Sequence, residues 1–306
     1  MKIGILHFKP APTLRSRRLP SDVKMLRNAV KELGHTPKVI AEDKCQLYYT
    51  RHHAKVLYAG KPFPKVDIII PRVSLLNNVG LHASILAQFQ LQGIPVLQSY
   101  KSVLRAKNKL RTLQFLSKNS IPVPITIVVK RFEFLDVAIR KVGGFPIIIK
   151  TPFGSLGKGV AIVESKRAMH SAFDLLLTSP DFSSLLIQEY VEEAAGKDLR
   201  AFVIGGKVVA AMQRNAQGDE FRSNLAQGGV GNSIKLTDEE ERISLAAAEA
   251  LKLDFAGVDL LRTNKGPVVM EVNCNPGLEG ITEVTGKDIA KKLIKYAVSI
   301  VEKRNK

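Results

Sequence analysis

Cysteines and long apolar runs are both scarce in this chain of 306 residues. Its two cysteines, Cys45 and Cys274, are too few to build a disulfide framework. No apolar run reaches the ~18 residues that a membrane helix needs, and the apolar stretch at residues 3–6 is too short for a signal peptide. These absences argue against a disulfide-rich, membrane-spanning or secreted protein, and a cytoplasmic protein is the expectation.

Acidic residues are few relative to basic ones. The chain has 46 lysines and arginines against 28 aspartates and glutamates, which gives a formal net charge of +18. Such a field attracts polyanions and acidic peptides. A basic surface that is otherwise ordinary explains the charge equally well, and charge alone does not identify a reaction. The hydrophobic content of 45% is enough for buried cores, and the length predicts roughly two domains of about 150 residues.

Strand and helix patterns divide the chain into regions at residues 1–97, 98–186 and 187–306. In the first region, alternating elements predict a parallel α/β layer with strands at 3–6, 36–40, 66–71 and 94–97, and helices at 22–33 and 81–92. The second region is predicted to hold a helix at 103–117, strands at 125–129, 147–150 and 160–163, and a helix at 168–177. The third is predicted to hold strands at 186–191, 199–204, 208–213, 256–262 and 268–272, and helices at 238–251 and 288–303. The expected fold class is therefore α/β.

A glycine-rich turn follows the predicted strand that ends at Lys150. Its glycines at 154, 157 and 159 permit positive φ and let backbone N–H groups approach phosphate oxygens. The spacing matches neither the G-x-x-x-x-G-K-[ST] phosphate loop nor a G-x-G-x-x-G turn that opens a helix. Taken alone, the segment is explained at least as well by a plain hairpin turn.

A predicted hairpin at 257–273 carries two carboxylates and an amide. Side chains alternate along a strand, so Glu271 and Asn273 share one face, while Met270 and Val272 point the other way. If the turn holds three residues, Asp259 lies opposite Glu271 on that face. Unpaired carboxylates repel each other, and a Mg²⁺ ion removes the repulsion. The hairpin therefore predicts a magnesium site, against the alternative of a solvent-facing polar edge.

Several ordered motifs together resemble the RimK-type ATP-grasp ligases. They are RAKNKLR at 105–111, IK at 149–150, QEYV at 188–191, KDLR at 197–200, FRSNL at 221–225, AGVD at 256–259, MEVN at 270–273 and PGLEG at 276–280. The resemblance covers almost the whole chain. It implies an ATP-grasp fold preceded by an N-terminal α/β (pre-ATP-grasp) domain at 1–97, with a central subdomain at 98–186 and a C-terminal subdomain at 187–306.

The resemblance also implies ligands for most of the polar motif residues. At the nucleotide, Lys109 and Lys150 would bind the phosphates, and Gly157 and Gly159 would belong to a loop that covers them. Glu189 and Tyr190 would bind the adenine and Asp198 the ribose. A further nucleotide-facing segment would consist of Arg222, Ser223 and Asn224. Arg222 would also stabilise charge on the transferring phosphoryl group and is the expected catalytic residue. Arg200 is the expected substrate-binding residue. Asp259, Glu271 and Asn273 would bind two Mg²⁺ ions, with Glu271 bridging, and Mn²⁺ could substitute.

The implied reaction is phosphoryl transfer followed by acyl transfer. An acceptor carboxylate attacks the γ-phosphorus of ATP and becomes an acyl phosphate, and the amine of glutamate then displaces phosphate. The protein positions reactants, neutralises developing charge and excludes water. Family members add glutamate to the C-terminus of the sixth protein of the small ribosomal subunit. A ribosomal acceptor, proximity to RNA through the basic surface, and a homotetramer are therefore expected.

Two segments depart from the family pattern. The stretch 213–215 reads QRN where paired arginines are familiar, which puts the choice of amino-acid substrate in doubt. The stretch 273–275 reads NCN where a small residue and serine are familiar, which leaves Glu271 and Asn273 intact. Two alternatives stay open: a ligase for a small-molecule or free poly-glutamate acceptor, and a non-catalytic ribosome- or RNA-binding module supported by the +18 charge.

Overall fold

The computed structural model describes residues 1–8, 19–72, 79–152, 159–178, 184–217 and 229–305. Its N-terminal sheet is parallel, with β1 (Lys2–His7) between β2 (Thr36–Ala41) and β6 (Ile68–Arg72). Helix α1 (Ser21–Glu32) packs against it. Every residue of β6 is buried, as expected where both faces of a parallel sheet are covered. The parallel α/β layer predicted for this region is confirmed.

The strand predicted at 94–97 is wrong. Among the described residues, this stretch forms a single isolated parallel bridge, between Val96 and Ile69. Ile69 N donates to the Pro95 carbonyl at 2.8 Å, and Leu97 N donates to the Ile69 carbonyl at 2.8 Å. Pro95 has no N–H to extend the ladder, so the pairing stops after one residue.

A small antiparallel sheet lies in a stretch where the sequence patterns predicted no element. It consists of β3 (Cys45–Tyr49), β4 (Ala54–Tyr58) and β5 (Lys61–Pro62). Val56 is the only fully buried residue of these strands, so the sequence shows little alternation. Helix α2 (Val79–Leu91) follows and packs against this sheet.

The helix predicted at 103–117 is two helices, α3 (Tyr100–Lys107) and α4 (Lys109–Lys118). Asn108 stands between them with extended backbone, and its side-chain oxygen accepts from the N–H groups of Leu110 and Arg111 at 2.9 and 3.1 Å. This side chain caps α4 and prevents one continuous helix. As a result Lys109 is the first residue of α4, and its N–H donates to the Pro152 carbonyl at 3.2 Å.

The central sheet is antiparallel, with strand order β7-β10-β8-β9. Its strands are β7 (Thr126–Val129), β8 (Ile147–Lys150), β9 (Val160–Val163) and β10 (Leu185–Glu189). Helices α5 (Leu135–Lys141) and α6 (Lys166–Leu177) cover it, and Phe173 of α6 is fully buried in its core. Lys150 pairs with Val160, so β8 and β9 flank the glycine-rich segment as predicted.

The C-terminal sheet is antiparallel, with strand order β13-β12-β11-β14-β15. Its strands are β11 (Lys197–Ile204), β12 (Lys207–Asn215), β13 (Val230–Ser233), β14 (Phe255–Thr263) and β15 (Gly266–Asn273). Its helices are α7 (Asp238–Ala250), α8 (Glu279–Thr285) and α9 (Ile289–Arg304). Helix α7 begins with a capping box between Thr237 and Glu240, the signature of a helix N-terminus.

The N-terminal and C-terminal sheets share one hydrophobic core. Ile3 of β1, Leu26 of α1, Phe202 of β11 and Leu293 of α9 are all fully buried in it. This packing holds the two sheets together on either side of α1 and α9. None of the helices that the structure describes has both the length and the apolar character needed to cross a bilayer.

Candidate active site

The hairpin of β14 and β15 brings the predicted metal ligands together. Asp259 lies opposite Glu271, as the sequence predicted, although the loop differs from the one assumed. Thr263 pairs with Gly266, so the loop holds two residues, and a β-bulge at Met270 restores the register. Met270 is the extra residue of the bulge and is half-buried, whereas Val272 is fully buried. That Met270 points away from Glu271 stays a prediction.

Asp259 is buried and paired with two arginines. Its two carboxylate oxygens accept from Nε and Nη2 of Arg200 at 2.7 and 2.6 Å, and Nη2 of Arg214 lies 3.0 Å from Oδ2. Burial favours the neutral acid, but the two guanidinium groups outweigh it and hold the pKa of Asp259 below its ordinary value. Asn273 Nδ2 lies 3.4 Å from the same carboxylate.

Arg214 links Asp259 to a second buried carboxylate. Its Nε and Nη2 donate to Asp198 at 2.6 and 2.7 Å, and both side chains are less than 5% exposed. Burial opposes the charge of Arg214, but Asp259 and Asp198 outweigh that effect and raise its pKa. In the sequence, Arg214 belongs only to the QRN segment that departs from the family pattern. The missing signal was its register opposite Asp198, which depends on a bulge in β11 and β12.

Two lysines lie within the electrostatic reach of this hairpin, Lys150 from the central sheet and Lys109 from the start of α4. Lys150, the last residue of β8, is buried, and its Nζ donates to Gln188 Oε1 at 2.6 Å. Gln188 Nε2 in turn donates to Thr126 Oγ1 at 2.7 Å. This second hydrogen bond orients the amide so that its oxygen faces Lys150. Burial lowers the pKa of Lys150 to about 8, although the negative charge of Glu271 opposes this. Burial also lowers the pKa of Lys109, again against the charge of Glu271, so both lysines lie within the electrostatic field of that carboxylate.

Glu189 and Gly159 each occupy a constrained position at the edge of the central sheet. Glu189 ends β10, and its Oε1 accepts from Ile125 N at 2.8 Å. Tyr190 follows directly and is half-buried. Gly159 has φ of +72°, and its carbonyl accepts from Thr151 N at 3.0 Å. A Cβ at residue 159 would lie 2.4 Å from Thr151 Oγ1, so only glycine fits there without rearrangement.

Family models match both parts of the chain. A RimK PreATP-grasp domain matches residues 1–103, and a RimK-like ATP-grasp domain matches residues 106–297. The chain belongs to the RimK-like ATP-grasp family. The family and the fold class predicted from the motifs are therefore confirmed.

Curated relatives agree with this membership, and solved structures share the fold. The chain is 40% identical over 296 residues to a protein of Methanococcoides burtonii named probable alpha-L-glutamate ligase, covering 97% of this chain and 95% of the relative. Two solved structures share the fold at lower identity. The ATP-grasp ligase PsnB with minimal precursor, Mg and ADP has a TM-score of 0.73 at 18% identity, with 97% of each chain covered. The D-alanine–D-alanine ligase of Bacillus anthracis with ATP has a TM-score of 0.69 at 19% identity, with 99% of each covered. The prediction that the chain is a ligase is confirmed by its relatives.

The RimK-like site has a donor set that fits Mg²⁺. Glu271 makes no hydrogen bond or ion pair with any residue that the structure describes, so its oxygens are available to a cation. Carboxylate and amide oxygens are ligands that Mg²⁺ accepts. Asp259 has fewer lone pairs to offer because Arg200 and Arg214 already occupy its oxygens.

Four residues of the predicted site lie outside the described part of the RimK-like chain: Gly157, Arg222, Ser223 and Asn224. The structure brings together the other predicted residues that flank the hairpin: Lys109, Lys150, Arg200, Asp198, Asp259, Glu271 and Asn273. Their roles stay predictions.

Proposed function

We propose that this RimK-like protein is an ATP-dependent α-L-glutamate ligase, which joins the amine of glutamate to the carboxylate of an acidic acceptor. The observation that carries the proposal is the hairpin register that sets Asp259 opposite Glu271, with the charge of Glu271 acting on both Lys109 and Lys150. The name of the 40% identical relative, which covers 97% of this chain, supports the amino acid.

The charge balance of the site suits a nucleotide with its metal. Among the described residues of the site, four basic side chains (Lys109, Lys150, Arg200, Arg214) accompany three carboxylates (Asp198, Asp259, Glu271), an excess of one positive charge. The ATP polyphosphate is negative before its cations bind and stays negative with one Mg²⁺ bound, so it complements this set. A buried lysine whose pKa is lowered holds its proton more firmly when an anion binds beside it.

The chain's residues divide the binding tasks. Lys109 and Lys150 would hold phosphate oxygens, and the segment at Glu189 and Tyr190 would hold the adenine largely through its backbone. Both carboxylate oxygens of Asp198 already accept hydrogen bonds from Arg214. Asp198 would therefore bind the ribose through the remaining lone pairs of those oxygens. Arg222, Ser223 and Asn224 complete the proposed nucleotide contacts.

The metal task falls to the hairpin. Glu271 would bridge two Mg²⁺ ions, with Asn273 and Asp259 as further ligands, and Mn²⁺ could substitute. Bound magnesium would neutralise charge on the phosphates. Arg200 is 15% exposed while Asp259 is 2% exposed, so the arginine is the partner that a substrate anion can reach.

The proposed chemistry proceeds through an acyl phosphate. The acceptor carboxylate attacks the γ-phosphorus and ADP leaves. The glutamate amine then attacks the acyl carbon, phosphate leaves, and the amine loses a proton. The lysines stabilise the negative charge that develops on the phosphoryl oxygens, with Arg222 as the proposed catalytic residue.

Glu271→Gln is expected to abolish magnesium-dependent turnover in a protein that stays folded, because the amide cannot replace a bridging carboxylate. Glu249→Gln, an exposed change on α7, is the matched control and should keep wild-type turnover. Turnover is measured as ADP release with glutamate present, and folding by circular dichroism. Wild-type turnover by folded Glu271→Gln protein would remove the metal assignment.

The acceptor is proposed to be the C-terminus of a small-subunit ribosomal protein, supported by the resemblance and by the +18 charge. Mass spectrometry of candidate acceptors, incubated with ATP, Mg²⁺ and glutamate, should show mass steps of one glutamate residue. Steps on free poly-glutamate or a small acid alone would favour the small-molecule acceptor. Absence of ATP turnover with every acceptor, alongside RNA binding, would favour a non-catalytic binding module. The homotetramer stays a prediction.

A further inference from the structure

One arginine reaches from the N-terminal sheet to the segment that follows the predicted metal ligands. Arg72 is the last residue of β6, and its side chain is 4% exposed. Its Nη2 donates to the Pro276 carbonyl at 2.8 Å and forms an ion pair with Asp22 of α1. Arg72 belongs to none of the motifs that identify the family.

Asp22 and Gln98 hold the same segment at two further points. Asp22 Oδ1 accepts from Leu278 N at 3.0 Å, while its other oxygen pairs with Arg72. Gln98 Nε2 donates to the Cys274 carbonyl at 2.9 Å. Asp22, Arg72 and Gln98 therefore form hydrogen bonds with the backbone of segment 274–278, which starts directly after Asn273.

The position of Pro276 bears directly on the site. Gly257 pairs with Asn273 across the hairpin. A Cβ on Gly257 would lie 2.8 Å from Pro276 Cβ and 3.5 Å from Arg200 Nε. Pro276 therefore packs onto the sheet beside both Asn273 and Arg200, and a shift of its backbone would be transmitted to those two side chains.

Stability alone gives a poor account of an arginine at position 72. Its Nε and Nη1 are buried and make no hydrogen bond with the part of the chain that the structure describes. Burial lowers the pKa of Arg72, and Asp22 opposes that effect. A buried guanidinium with unpaired donors is costly, and an apolar side chain of similar length would fill the space at lower cost.

We propose that Arg72 is a positioning residue of the active site. Arg72 fixes the Pro276 carbonyl, and Asp22 fixes the Leu278 amide. Together they set the positions of the Asn273 and Arg200 side chains beside Asp259 and Glu271. The N-terminal sheet thus controls metal and substrate binding without touching either ligand. The inference rests on the proposed function for the identity of those ligands.

Arg72→Met tests the proposal, with Arg72→Lys as the conservative variant, because lysine can still donate to Pro276. Arg262→Met is the matched control, because Arg262 lies on the same hairpin but its ion pair is with Glu240 of α7. Two measurements need no catalysis: Mn²⁺ affinity in the presence of ADP by electron paramagnetic resonance, and hydrogen exchange of the Leu278 amide. A third is KM for glutamate against kcat.

Arg72→Met is expected to weaken Mn²⁺ binding by about tenfold, in the range seen when supporting groups of a metal site are removed. Exchange should accelerate in 274–278 and not across the whole chain, and KM for glutamate should rise. Arg72→Lys should recover part of each loss, and Arg262→Met should change none of them. Wild-type Mn²⁺ affinity in Arg72→Met, or exchange accelerated throughout the chain, would overturn the proposal. If wild-type protein shows no glutamate-dependent turnover, the proposed function fails, while Mn²⁺ affinity and exchange still decide the role of Arg72.

Discussion

The charge of Lys150, the lysine at the end of β8, depends strongly on its surroundings. Burial lowers the pKa of Lys150 to about 8, from an ordinary value of 10.5. The unfolded chain keeps this proton to higher pH than the folded, unliganded protein. The contribution of Lys150 to folding stability should therefore rise as the pH increases from about 8 toward 10.5. Nucleotide binding should show the opposite trend, because it requires the charged lysine.

Affinity for a non-hydrolysable ATP analogue is expected to fall by up to about tenfold per pH unit above about 8, because the neutral amine cannot pair with phosphate. Calorimetric titration between pH 7 and 9.5 measures this slope. Lys150→Arg is the control, since a guanidinium keeps its charge throughout that range. The slope left in the variant belongs to other groups such as Lys109, whose pKa is also lowered. Equal slopes in the two proteins would show that Lys150 does not contact phosphate.

At the residue scale, the sequence predicted several charged residues of the site but not all of their partners. Lys150, Asp259 and Glu271 were found from motifs, because each belongs to a short ordered pattern. Arg214 was not found, although it pairs with both Asp198 and Asp259. Its importance comes from cross-strand contacts, which no local pattern contains.

At the scale of elements, two β-bulges decide which side chains meet. The β11–β12 hairpin turns at Gly205 and Gly206, and a bulge between Phe202 and Val203 moves Arg214 opposite Asp198. The β14–β15 hairpin also has a two-residue loop, and its bulge moves Glu271 opposite Asp259. Turn residues can be predicted from sequence, whereas bulges depend on packing. The predicted Asp259–Glu271 register is correct, although it assumes a three-residue loop where the protein has a two-residue loop and a bulge.

The break between α3 and α4 places Lys109, and it supplies a test at this scale. Asn108→Ala removes two capping hydrogen bonds and is expected to cost about 1 kcal/mol of stability. It should also raise KM for ATP, because a continuous helix would move the first residue of α4. Asn119→Ala at the other end of α4 is the matched control, since its side chain donates to the exposed Phe115 carbonyl. Chemical denaturation and ATP kinetics measure both effects, and an equal KM in the two variants would contradict the role of the break.

At the scale of the whole molecule, the N-terminal and C-terminal sheets act as one packed unit. Ile3 and Leu293, nearly 300 positions apart, share a core, and the N-terminal residues Asp22 and Arg72 hold the segment after Asn273. Sequence patterns treat each region separately, so this dependence could not be predicted. It follows that changes far from the hairpin can alter the site through the 274–278 segment.

The excess positive charge also belongs to the whole molecule. Exposed basic residues crowd helix α9, namely Lys292, Lys295, Lys303 and Arg304, whereas Lys291 is paired with Glu32 at 2.6 Å. The arginines at 15, 17 and 18 lie outside the described residues. No basic residue of α9 belongs to a nucleotide-binding motif of the family, so these charges are free to act on a large partner. Charges of this kind raise the rate of encounter with an acidic macromolecule.

Salt should therefore slow the reaction with a large acidic or RNA-associated acceptor, because exposed charges are screened beyond about 8 Å at physiological ionic strength. The measurement is kcat/KM over a salt series, for the large acceptor and for a short peptide with the same C-terminus. Replacing Lys292, Lys295 and Lys303 together by glutamine should reduce kcat/KM for the large acceptor only. Lys291→Gln, which removes a charge already paired with Glu32, should have a smaller effect. If salt lowered kcat/KM equally for both acceptors, the charges of α9 would not steer the encounter, and the salt-sensitive contacts would have to lie within the active site itself.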